Sequence, residues 1–69
     1  MSDRLRRLQE VDRKIAEGRA RATKLKRQIA DLQKDGHNAV WSIGYLRELE
    51  HSLCLLSDYR KVIARRLEQ

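Results

Sequence analysis

His37, His51 and Cys54 are the residues of this 69-residue chain whose side chains most readily do chemistry. His51 and Cys54 stand three apart, so on a helix they share a face. A structural zinc ion takes four ligands, and from this chain only His37 could join them. A cysteine nucleophile needs a base, an orienting group, a pocket and an oxyanion site. His51 could supply only the first. There is no phosphate-binding glycine loop and no Ser/His/Asp set. The sequence therefore predicts a non-enzyme, with no metal, no cofactor and no small-molecule substrate.

Charge offers a second kind of chemistry. The formal net charge is +6. Residues 1–35 hold eleven Lys/Arg against six Asp/Glu, a balance of +5, and residues 36–69 hold five against four, a balance of +1. On a helix, Arg6, Arg13, Arg27 and Lys34 fall in one column and Arg7, Lys14 and Arg21 in the next, a basic ridge along the back of the first helix. Such a ridge suits an acidic partner: nucleic acid, a membrane surface or an acidic protein. The bland alternative is favoured. Asp3, Glu10 and Glu17 precede Arg7, Lys14 and Arg21 by four residues, the orientation that stabilises a helix by ~0.2–0.5 kcal/mol per pair with no partner. The membrane version is weakest, because this half lacks Trp and Phe.

Apolar residues give the third signal. In the second half, Trp41, Tyr45, Leu55, Tyr59 and Val62 form a stripe, diluted by Glu48 and Ser52, that holds every aromatic residue of the chain. Beside it runs another stripe of Ala39, Leu46, Leu49, Leu53, Leu56, Ile63 and Leu67. Together they span about half the helix circumference, more than one neighbouring helix covers. A surplus of this kind marks an interaction surface. The favoured occupant is a second copy of the chain, ahead of a different protein. A platform for nucleic-acid bases is least favoured, since base-stacking aromatics sit among cations.

Positioning these surfaces falls to two helices and one break, Asp35-Gly36-His37-Asn38. Gly36 suits the left-handed residue that ends a helix, and Asn38 suits the cap of the next. The reading is an all-α antiparallel two-helix hairpin, coiled-coil-like, with helix 1 over about 3–35, a turn at 36–38, helix 2 over about 39–68, and dimerisation into a four-helix bundle. Ser2 or Asp3 caps helix 1. A longer turn through Trp41-Ser42-Ile43-Gly44, with Ser42 as the cap and helix 2 starting near Tyr45, is the less favoured alternative, raised by Gly44 on the solvent side. Helix 1 presents a heptad seam: Leu8, Ile15, Ala22 and Ile29, alternating with Val11, Gly18, Leu25 and Leu32 and led by Arg4. Folding about residue 37 sets Gly18 near Leu56 and Ala22 near Leu53, small against large, which is preferred to a hinge at Gly18. Arg60 takes a seam position level with Ile15, either paired with Asp12 or with its charge reaching back to water.

Size makes a partner expected. A single core in so short a chain supplies only ~3–5 kcal/mol, and one cysteine permits no internal disulfide. The absence of proline, with 38% charged residues, fits helices. No apolar run approaches a membrane span, and the N-terminus lacks the apolar stretch of a signal peptide. A cytoplasmic protein with a reduced Cys54 is expected, as one domain over residues 1–69. No family motif stands out. The architecture resembles small helical hairpins that dimerise into four-helix bundles, some of which bind RNA, an analogy of fold alone. The expected function is a small binding or regulatory protein that docks through its helices on a protein partner, as a homodimer. Nucleic-acid binding through the basic face of helix 1 is the alternative, and a structural subunit of a larger assembly the third.

Overall fold

The computed structural model describes residues 3–68, so the expected Ser2 cap lies outside the described residues. Two helices make up the architecture: α1, Asp3–Lys34, and α2, Val40–Glu68. They pack against each other as a hairpin of 53 × 16 × 13 Å.

The turn forms because Gly36 reverses the sign of its φ, to 76°. That lets the His37 amide reach back to the Leu32 carbonyl at 2.8 Å and the Gly36 amide to Gln33 at 3.1 Å. Two carbonyls otherwise orphaned at the end of α1 are thereby satisfied, in the Schellman pattern. Two residues after Gly36 the Asn38 side-chain oxygen accepts from the Val40 amide at 2.9 Å, which caps α2. The Ala39 carbonyl, just before the first residue of α2, accepts from the Ile43 amide at 2.9 Å, the first four-residue bond of the helix. The alternative start near Tyr45, capped by Ser42, is thus excluded, and both helix limits lie within a residue of expectation.

Between the helices the heptad seam closes as the spacing requires. Val11, Ile15, Gly18, Ala22 and Ile29 of α1 are buried, and so are Ala39 and Ile63. Leu8, Leu56 and Leu67 pack around the Val11–Ile15–Ile63 cluster at the open end. The core is thin: no large side chain among the described residues is fully buried.

The level of contact differs from the expected one at Gly18. Leu53, not Leu56, fills the space its side chain would take: a Cβ on Gly18 would stand 2.5 Å from Leu53 Cδ2 and 3.3 Å from its Cγ. Leu49 and Leu56 border the same groove. Side chains of one helix insert between those of the other rather than facing one residue squarely, so counting from the turn fixes the level only to about a helical turn. Gly18 is therefore a packing glycine within an unbroken α1.

This close approach predicts a reversal of sign. In a Leu53→Ala background, Gly18→Ala should stabilise by about 1 kcal/mol through helix propensity. In the wild type the same change should give no gain, because overpacking costs about 1–3 kcal/mol. Urea denaturation of the four proteins at one chain concentration measures the coupling.

Candidate interaction surface

The structure leaves the aromatic stripe open. Trp41 is 91% exposed, Leu55 56%, and Tyr45, Tyr59 and Val62 about half exposed. α2 turns its leucine seam to α1, and a helix of radius ~5 Å can cover only that side of its neighbour. Near the turn, Val40, Trp41, Gly44, Tyr45 and Glu48 line one shallow depression. Val40, 64% exposed, belongs to this surface. Sequence reasoning passed it over because it stands one residue, about 100°, off the stripe. No cation lines the depression, and Glu48 is its single charged group.

The hairpin carries much surface for its mass. Its accessible area is 5921 Å², whereas a folded monomer of 8.2 kDa exposes about 4,500 Å². The radius of gyration, 15.9 Å, compares with about 11 Å for a compact chain of this length. The surplus of roughly 1,400 Å² exceeds the ~800 Å² that each partner commits to a standard interface.

The basic residues divide differently from expectation. Lys14 and Arg21 do not lie on the back of α1. They line the groove between the helices with Glu17 and Gly18, opposite Leu49, Ser52, Leu53 and Leu56. That is the side on which Ser52 continues the aromatic stripe. Heptad spacing places Arg7, Lys14 and Arg21 immediately beside the buried seam, so this column is a flank of the hairpin, interleaved with Glu10 and Glu17. Arg6, Arg13, Arg27 and Lys34 are exposed on the outer column. The helix ion pair that forms is Arg13–Glu17 at 4.0 Å. Among the described residues no ion pair joins Asp3 to Arg7, Glu10 to Lys14 or Glu17 to Arg21; Glu17 turns to Arg13 instead. These are solvated side chains whose rotamers are decided by fractions of a kcal/mol.

Among the described residues two ion pairs cross between the helices. Arg60 Nε donates to Asp12 Oδ1, the partner expected for a charge at a seam position. Both side chains are nearly half exposed, so the pair closes the rim of the interface and is not a buried charge. Lys26 and Glu50 approach to 3.9 Å across the helices. Nothing in the sequence spacing singled out this second pair, because it depends on the level at which the helices interlock.

His51 and Cys54 are both exposed on α2, and His37 is exposed beyond the end of α1. No group of three His, Cys, Asp or Glu among the described residues is placed to hold a metal ion. Nor is either described helix long and apolar enough to cross a membrane. No known family model, curated protein or solved structure matches the chain.

Solvent screening limits what the Asp12–Arg60 pair adds. A double-mutant cycle of Asp12→Asn and Arg60→Gln should give a coupling below about 1 kcal/mol that fades in molar salt. Coupling that survives high salt would place the pair in a drier setting than its exposure indicates.

Proposed function

We propose that this chain is a non-enzymatic binding or regulatory protein that docks through the apolar face of α2. Its working form is a homodimer in which two hairpins close a four-helix bundle. The observation that carries this reading is the open stripe of Trp41, Tyr45, Leu55, Tyr59 and Val62, in a chain with surface enough for a full interface. Aromatic residues are enriched in protein interfaces, where a large apolar ring carries a polar tip. The surroundings also favour protein over nucleic acid. Glu48, not a cation, sits among the aromatics, and the flank along the groove alternates Glu17 with Lys14 and Arg21. A face of mixed sign suits another protein's mixed surface better than a uniform polyanion.

A second reading rests on the outer column of α1. Arg6, Arg27 and Lys34 are exposed and have no carboxylate within ion-pair distance among the described residues. Spaced along one face, they could follow a phosphate backbone.

Sedimentation equilibrium separates the proposals. The wild type should be a dimer at micromolar concentration, and its Trp41 emission should move to shorter wavelength as concentration rises. Tyr45→Glu with Leu55→Glu should give monomers or unfolded chain. A wild type that stays monomeric and folded would defeat the homodimer and leave the stripe for a foreign protein.

Fluorescence anisotropy with RNA and DNA probes tests the second reading. Phosphate contacts would give binding that weakens steeply with salt, and Arg6→Gln, Arg27→Gln and Lys34→Gln together should lower the slope by up to about three charges. Absence of binding at low salt would reduce the column to a solvated face.

A further inference from the structure

The exposed face of α2 has an order that its apolar character alone does not require. From Trp41 to Arg66 its positions advance by alternating steps of four and three residues, passing through Glu48 and Ser52. That is the spacing of a second heptad seam, rotated by roughly a quarter turn or more from the one that α1 covers. A seam of this kind seats a helix, and its residues constrain which helix.

We infer that the helix seated on this face is α2 of a second copy, running antiparallel, in the register that sets Trp41 opposite Arg66 and Glu48 opposite Tyr59. The inference rests on the homodimer reading and specifies its geometry. A parallel pairing would bring Glu48 against Glu48 of the second copy, two like charges on an apolar face. The antiparallel pairing gives each polar group a partner. Arg66 meets the indole face of Trp41, a cation–π contact. The Tyr59 hydroxyl donates to the Glu48 carboxylate, a charge-assisted hydrogen bond. Tyr45 meets Val62, aromatic on β-branched, and near the twofold axis Ser52 meets Leu55, small on large. His51 on the flank lies within one helical turn of Asp58 of the second copy.

Sliding the helices by one heptad breaks this pattern. In one direction Val62 and Arg66 pass beyond the start of the second α2, at Val40. In the other, Trp41 and Tyr45 pass beyond its end, at Glu68. Only the central register covers the whole stripe, including the most exposed aromatic residue of the chain.

Cysteine cross-linking of the full chain reads the register directly. In a Cys54→Ser background, Tyr45→Cys with Val62→Cys should oxidise to a covalent two-chain species that reduction returns to one chain. The two positions on one α2 lie about 25 Å apart, too far for a disulfide within the chain. Tyr45→Cys with Leu55→Cys, which would face each other one heptad away, should remain single. The opposite result overturns the register. A dimeric wild type in which neither pair cross-links overturns the antiparallel arrangement. A monomeric wild type overturns instead the homodimer on which the inference rests.

A test without cysteines guards against a variant that fails to fold. Arg66→Gln should weaken the dimer on the order of tenfold, counting two cation–π contacts, and should have little effect once Trp41→Leu has removed its partner. An undiminished Arg66 effect in the Trp41→Leu protein would overturn the pairing.

Discussion

A helix can cover only one side of its neighbour, and that limit governs this chain. α1 is apolar along one narrow stripe, and the leucine seam of α2 packs along it: Val11, Ile15, Ala22 and Ile29 are buried. α2 is apolar along two stripes, and a hairpin has no third helix for the second. The open aromatic face is therefore a consequence of giving one helix twice the apolar width of the other. The surplus area and elongated shape follow from the same mismatch.

Much of the hairpin was legible because the deciding signals are local. Gly36 at the end of one periodic run and Asn38 at the start of the next specify a turn without reference to the rest of the chain, and the hydrogen bonds at Leu32, Gln33 and Val40 realise it. Heptad spacing assigned the buried and open faces, and the seam position of Arg60 pointed to Asp12. What spacing cannot supply is the level at which two antiparallel helices interlock. That level placed Leu53 over Gly18 and drew Lys26 to Glu50. Lys14 and Arg21 border the groove because their heptad position flanks the seam, a placement already present in the spacing. Surface pairing was also beyond reach, since Glu17 chooses between Arg13 and Arg21 on differences smaller than thermal energy.

The change in position of Lys14 and Arg21 alters the meaning of the chain's charge. Counted along the sequence, α1 holds a balance of +5, which reads as one basic surface. Folded, one column joins a mixed flank beside the aromatic stripe, and the outer column, interrupted at Ala20, stays basic. The net charge is the same, but the field a partner meets depends on the side from which it approaches. Docking on the stripe would leave the outer column free, so the two faces do not compete for one occupant.

The thinness of the core ties docking to stability. At mid-length the seam narrows to Gly18 and Ala22, which draws the backbones together and leaves little apolar volume between them. Burying the Trp41–Val62 face would add apolar contact on the scale of that core. A partner that binds only the folded hairpin stabilises it in proportion to the logarithm of its concentration. For a chain this small, folding and docking then draw on the same free energy. On the proposed reading, the aromatic face is the half of a core that the hairpin cannot close by itself.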